Sequence, residues 1–271
     1  ALVAGNSILI KPPEQSPLSA CILAEMCREH FPAGLVNILT GEAATGEAIV
    51  KHPHIKRIAF IGSVPTGMKI QNAASEVAVK NVSLELGGKN PLIACPDADI
   101  DEVATAAIRG MNFAWQGQSC GSTSRILLHE SLHDAVVAKM VEKLKAIRIG
   151  DPLDPDVNMG PMNSKKQYDR VMMLIQEAKD QGAECLVGGD RPTGPGFDRG
   201  YWVQPTLFRG VNTSMNIAKT EVFGPVVSVF KWSELDEALE IANDVDYGLT
   251  ASIYTNDFAT AMYLSRKVNV G

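Results

Sequence analysis

The chain alternates short apolar runs with longer amphipathic ones, and that rhythm leaves few architectures open. The runs at 7–11 (SILIK), 36–39 (VNIL), 58–61 (IAFI) and 82–86 (VSLEL) are short and apolar, as buried strands are. Helical spacing fills the gaps. One helix is expected from Ser16, read as an N-cap before Pro17, to about His30, and others at 46–52 and 66–78. Strands that return through helices lie parallel, so this order implies an α/β fold with helices on the faces of a parallel sheet. The pair Gly87-Gly88 interrupts the rhythm, and a second series follows. It comprises a long helix at 99–115 with Asp99 near its N-terminus, a strand at 124–129, and helices at 131–147 and 164–181. A Gly- and Pro-rich loop at 188–200 precedes strand–helix pairs at 226–230, 234–242, 250–254 and 258–267. A domain boundary is placed near 86–88, giving domains 1–86 and 87–271.

Composition narrows the function. A hydrophobic fraction of 45% over 271 residues can bury a normal core. The formal net charge of −6 argues against nucleic acid as a partner, because phosphate binding needs a basic face. No apolar run reaches the roughly 18 residues that a membrane helix needs, and no signal peptide is evident. The five cysteines include no CxxC pair, so no metal site is expected and reduced thiols are the simplest reading.

Five segments could carry chemistry. Cys120 sits among small residues in Gln116-Gly117-Gln118-Ser119-Cys120-Gly121, where a substrate carbon can approach the sulfur and backbone N–H groups can meet a developing oxyanion. A buried structural cysteine is the plainer alternative. Glu85 is a carboxylate in an apolar strand beside Gly87-Gly88, placed either to act as a base or to face outward on an alternating strand. The turn Gly62-Ser63-Val64-Pro65-Thr66-Gly67 follows a strand and opens a helix, a geometry that suits phosphate, although it lacks the G-x-G-x-x-G spacing. Lys11 and Glu14 could reach a ribose diol, or form a solvated loop. In Glu221-Val222-Phe223-Gly224-Pro225 the carboxylate could bind a sugar hydroxyl and the ring could pack on a flat group; an ordinary loop is the alternative.

In order and spacing these segments, with Leu86-Gly87-Gly88-Lys89-Asn90-Pro91, Gly150-Asp151-Pro152 and Tyr247-Gly248-Leu249, resemble the aldehyde dehydrogenase superfamily over essentially the whole chain. The general look is that of hydrolytic, betaine-aldehyde-dehydrogenase-like members. The resemblance implies that 1–86 is part of a Rossmann-like NAD(P)-binding domain and that 87–271 is a C-terminally truncated catalytic domain. It implies Cys120 as the nucleophile that forms a thiohemiacetal and, after hydride transfer to nicotinamide, a thioester. Glu85 would be the general base for hydrolysis. Lys11 and Glu14 would hold the adenosine ribose. Gly62, Ser63, Thr66 and Gly67 would lie near the pyrophosphate, Gly87 near the nicotinamide, and Glu221 with Phe223 at the nicotinamide ribose. NAD is preferred over NADP, because Glu14 repels a 2′-phosphate.

Met111, Trp115, Ser119 and Gly121 are candidates for an apolar aldehyde tunnel; one Trp does not make a cage for a quaternary ammonium. A homodimer or homotetramer is expected, in the cytoplasm or an organelle matrix. The alternatives are a relative that passes the thioester to coenzyme A, disfavoured by the presence of Glu85, and a non-catalytic member, disfavoured by Cys120 and Glu85 together.

The absence of an initial Met before Ala1 and the end at Gly271 suggest an internal fragment. In the family an oxyanion-hole asparagine precedes the segment that matches Ala1. Losing one such donor costs about 10²–10³ in rate. The 271 residues expressed alone are therefore expected to be inactive or poorly folded. Clear NAD(P)H production from a simple aldehyde by the purified piece would overturn this.

Overall fold

A computed structural model describes residues 1–271, which divide into two units, Ala1–Leu86 and Gly87–Gly271. In the first unit the order is β1 (Ile8–Ile10), α1 (Leu18–His30), β2 (Val36–Ile38), α2 (Ala43–Lys51), β3 (Arg57–Ile61), α3 (Val64–Ser75) and β4 (Asn81–Glu85). The pairing is parallel, as the βα rhythm requires. It forms two separate pairs, β1–β2 and β3–β4, rather than one continuous sheet. Alternation sets the faces of β4: Val82 and Leu84 are half-buried, whereas Asn81, Ser83 and Glu85 are exposed. The core of this unit is small, formed by Val50, Ile58 and Ala74, and α1 buries no residue.

Two helix starts differ from the sequence reading. Ser16 makes no cap bond; Pro17 precedes α1, and its carbonyl accepts from the Cys21 N–H. The second helix begins at Ala43, with Gly46 inside it, because the good helix formers Ala43 and Ala44 carry the helix upstream of the glycine.

The second unit is built on a six-stranded sheet. Its elements are β5 (Pro91–Ala94), α4 (Ile100–Gly110), β6 (Arg125–His129), α5 (Glu130–Lys145), α6 (Lys165–Asp180), β7 (Glu184–Val187), β8 (Thr206–Arg209), α7 (Asn216–Lys219), β9 (Val226–Trp232), α8 (Leu235–Asn243), β10 (Ser252–Tyr254) and α9 (Phe258–Lys267). The strand order is β10-β5-β6-β9-β8-β7, parallel throughout except for the edge strand β7, which runs antiparallel to β8.

Both faces of this sheet are covered, which explains why its strands read as unbroken apolar runs. Leu92, Ile126, Leu128, Val227 and Val229 pack with α4 and α5 residues such as Val103, Ala107, Val136 and Met140. Their strand neighbours Ile93, Leu127, Val226 and Phe230 pack on the other side with Leu174, Ile175, Leu239 and Leu264. Each such side chain contributes ~1.5–3 kcal/mol of burial.

The single helix expected over 99–115 is broken. Asp99 caps α4 by accepting from the Glu102 N–H at 2.9 Å, but the helix ends at Gly110. Asn112 then turns left-handed at φ 57° and a short 3-10 turn follows at Phe113–Trp115. No helix of the chain is long and apolar enough to cross a membrane.

Candidate active site

In the first unit the β3–α3 turn is held by main-chain bonds. The Gly62 N–H donates to the Glu85 carbonyl at 3.0 Å, and the Thr66 and Gly67 N–H groups donate to the Ser63 carbonyl at 3.1 and 3.0 Å. The Ser63 and Thr66 hydroxyls lie 3.0 Å apart on the exposed mouth of the turn. A Cβ on Gly67 would come within 2.9 Å of Leu86 Cδ2, so the glycine lets α3 pack close to the end of β4. Lys11 Nζ donates to the Pro12 and Gly41 carbonyls at 2.9 and 2.8 Å and sits 3.6 Å from the Glu14 carboxylate. Bonds to the backbone of its own loop hold the exposed Glu14 carboxyl below the usual carboxylate range, with Gln15 and Lys11 acting in the same direction.

For Glu85 the strand alternation is observed directly: its position on β4 turns the side chain to the exposed face. Its availability rests on lacking an internal hydrogen-bond or ion-pair partner, not on burial.

In the second unit, Cys120 and Gly121 are the central residues of a tight turn closed by the Ser122 N–H donating to the Ser119 carbonyl at 3.1 Å. Cys120 is half-buried and free of disulfide. Its own main-chain N–H donates to no group of the chain, whereas the Gly121 N–H reaches Ser119 Oγ at 3.3 Å. The turn is braced from beneath: Ser122 Oγ donates to the Met111 carbonyl at 3.0 Å and the Thr123 N–H to the Gly110 carbonyl at 2.9 Å. Of the candidate tunnel residues, Met111 is buried, Ser119 and Gly121 are half-buried, and Trp115 is 64% exposed.

The Glu221–Phe223 loop faces the Gly87-Gly88 turn. Glu221 Oε1 accepts from the Gly88 N–H at 3.3 Å, and a Cβ on Gly87 would collide with the Glu221 carboxylate. Gly87 thus provides the room that lets Glu221 approach. Burial raises the Glu221 carboxyl pKa, opposed by the Gly88 N–H and by Lys89 and Arg170. Phe223 is held left-handed at φ 54°, an uncommon state for a bulky residue. Helix α6 secures it: Gln167 Nε2 donates to the Val222 and Phe223 carbonyls at 2.9 and 2.8 Å, and Arg170 to the Glu221 carbonyl at 3.2 Å. One narrow crevice is lined by Gly88, Gly117, Ser119, Ser122, Glu221 and Phe223, so this unit brings the flank of the thiol turn and the Glu221 loop together.

Two buried basic side chains, Arg125 and Lys89, flank the start of β5 and β6. Arg125 is 1% exposed and has no carboxylate partner in contact. Its guanidinium donates at 2.7 Å to the Lys89 carbonyl and to the Ile241 and Ala242 carbonyls at the negative end of α8. Burial lowers its pKa to about 10. Lys89 is also 1% exposed, and its Nζ has no hydrogen-bond partner. Burial, with Arg125 nearby, lowers its pKa to about 7 against the pull of Glu221.

Sequence reasoning missed Asn90, Arg125, Gln167 and Arg170. Asn90 stood inside the Leu86–Pro91 segment without a role of its own, and Gln167 and Arg170 are polar residues at helical spacing on α6.

The aldehyde dehydrogenase family profile matches residues 1–271. The chain is 48% identical to an aldehyde dehydrogenase, tropH, of Talaromyces stipitatus, covering all of this chain and 53% of that one. It is 42% identical to a betaine aldehyde dehydrogenase of Mesorhizobium japonicum, covering 100% and 55%. A crystal structure of a betaine aldehyde dehydrogenase variant from Staphylococcus aureus, in complex with NAD+, superposes with a TM-score of 0.95 at 34% identity, covering 100% of this chain and 55% of that one. A 3,6-anhydro-L-galactose dehydrogenase crystallised with NADP gives a TM-score of 0.96 at 37% identity, covering 100% and 57%. The chain therefore spans about half the length of the relatives it matches, and it belongs to the aldehyde dehydrogenase family.

Proposed function

We propose that the whole protein oxidises an aldehyde to a carboxylic acid, with NAD+ preferred and NADP+ as a second cofactor. The observation that carries this is Cys120, a half-buried free cysteine at the centre of a tight turn of small residues, its main-chain N–H unengaged. The thiolate attacks the aldehyde carbon, and the oxygen that gains charge meets the Cys120 N–H. Loss of hydride from the thiohemiacetal leaves a thioester on Cys120. Bound NAD+ supplies the two-electron acceptor for that hydride. Glu85 takes a proton from the water that hydrolyses the thioester.

The residues present fit a dinucleotide. Gly87 lets the Glu221 carboxylate sit against the main chain of the 87–88 turn, where it can accept from a sugar hydroxyl. In the first unit Lys11 and Glu14 offer a cation and a carboxylate 3.6 Å apart for a ribose diol. The Ser63 and Thr66 hydroxyls stand at the start of α3, where the helix dipole favours phosphate. The names of the relatives, which include betaine aldehyde dehydrogenases, support an aldehyde substrate without choosing one.

An aldehyde panel assayed on the whole protein with each cofactor, scored by kcat/KM, tests this reading. Turnover is expected to be faster with NAD+. Glu14→Gln removes the charge that repels a 2′-phosphate and is expected to move the NAD+/NADP+ ratio toward NADP+ by about tenfold. Faster turnover of the unaltered protein with NADP+ would overturn the preference.

A further inference from the structure

We propose that Asn90 is a positioning residue that sets the backbone of the Cys120 turn, a role that rests on reading Cys120 as the nucleophile. Asn90 is 0% exposed. Its side-chain Nδ2 donates to the Cys120 carbonyl at 2.6 Å and to the Ser122 carbonyl at 3.1 Å. Its Oδ1 accepts from the Leu249 and Thr250 N–H groups, both at 3.0 Å. The amide thus spends its two N–H bonds on two acceptors and its oxygen on two donors. A flipped amide would face like against like at all four contacts, so the orientation is set by the chemistry of the partners.

The main chain beside Asn90 is equally fixed. The Arg125 N–H donates to the Asn90 carbonyl at 3.2 Å, and Arg125 Nε donates to the Lys89 carbonyl at 2.7 Å. Space around the amide is tight. A Cβ on Gly88 would collide with Asn90 Oδ1 and lie 2.9 Å from the Leu249 nitrogen.

The consequence falls on one peptide plane. The 120–121 carbonyl is drawn inward to Asn90, so in a trans peptide its N–H points the opposite way, toward Ser119 Oγ. Fixing that plane fixes the ψ angle of Cys120, and with it the direction from which the thiol leaves the backbone. A buried amide with all four bonds satisfied is rigid, and a reacting atom displaced by about 1 Å costs on the order of 100-fold in rate. Serine reaches fewer of the four partners. Aspartate keeps the shape and the two accepted bonds but sets a second acceptor against the Cys120 and Ser122 carbonyls.

The test uses Asn90→Asp and Asn90→Ser in the whole protein. The rate of Cys120 alkylation by iodoacetamide is read by peptide mass spectrometry on folded protein, alongside kcat and the KM for NAD+. Asn90→Asp is expected to lower the alkylation rate and kcat together by about tenfold or more, with KM for NAD+ within about twofold; Asn90→Ser should fall between it and the unaltered protein. Either folded variant alkylating at the unaltered rate or faster, with only its melting temperature lowered, overturns the proposal. If Asn90→Asp does not fold, Asn90→Ser decides. A Cys120→Ala control separates the two readings: activity that survives it removes the nucleophile assignment, whatever the Asn90 variants do.

Discussion

Replacing Cys120 by alanine in the whole protein is expected to lower kcat by about 10⁴-fold or more, because no other group on the thiol turn can form the covalent intermediate. The residues that form the turn with Cys120 are Ser119, Gly121 and Ser122; the hydroxyl of Ser122 is committed to the Met111 carbonyl, and that of Ser119 accepts from the Gly121 N–H. Neither hydroxyl hydrogen-bonds to a basic side chain that would make it a nucleophile. Binding should survive, since the turn is closed by main-chain bonds and by Asn90, none of which involve the thiol. The measurement is steady-state NADH formation together with NAD+ affinity by fluorescence titration. A Cys120→Ala protein with unchanged affinity and a rate within tenfold of the unaltered enzyme would sink the assignment. The other four cysteines serve as internal controls. Cys95 is buried and its thiol pKa is pushed up to about 11 by burial and by Asp97, so it stays protonated and inert when alkylating agents are used to follow Cys120.

Where a feature depended on local pattern, it was legible in the chain. The parallel α/β organisation followed from apolar runs alternating with helical spacing, and the structure explains the runs themselves. Strands β5, β6 and β9 have alternate residues buried on opposite faces of one sheet, so neither face reads as polar. What depended on distant partners was not legible. The antiparallel edge strand β7 pairs with β8 across the Gly-rich loop, and nothing in its four residues signals direction. The end of α4 is set by a left-handed Asn112 where the apolar periodicity runs on through Phe113 and Trp115. Phe223 gives no local sign of its positive φ, which is sustained by Gln167 from α6. Asn90 belongs to the Leu86–Pro91 segment, but nothing local gives it a role. Its importance comes from partners 30 and 159 positions away along the chain, Cys120 and Leu249, which only the fold brings to it. Glu85 was legible only as a choice: strand alternation left open an outward-facing position, and β4 places it on the exposed face.

Glu85→Gln is the sharper experiment, because it divides the reaction in two. Glutamine keeps the size of the side chain and removes the basic carboxylate, and the backbone of residue 85 stays tied through its carbonyl to the Gly62 N–H. If Glu85 activates the water that hydrolyses the thioester, the steady-state rate should fall by about 10²–10⁴-fold while the first turnover survives as a burst of NADH. The acylated enzyme should then accumulate, visible as a mass increase on Cys120 equal to the acyl group of the aldehyde used. Loss of the burst in proportion to the steady state would give Glu85 a different role, deprotonating the Cys120 thiol before attack. An added small-molecule base would then restore the burst by taking the proton in place of the carboxylate. An unchanged steady-state rate would remove Glu85 from the chemistry altogether, leaving an exposed strand residue. Added coenzyme A provides the last discrimination. If it accelerates turnover of the unaltered protein while Glu85→Gln has no effect, the thioester is passed to a thiol acceptor, and the acylating branch of the family describes the protein better than the hydrolytic one.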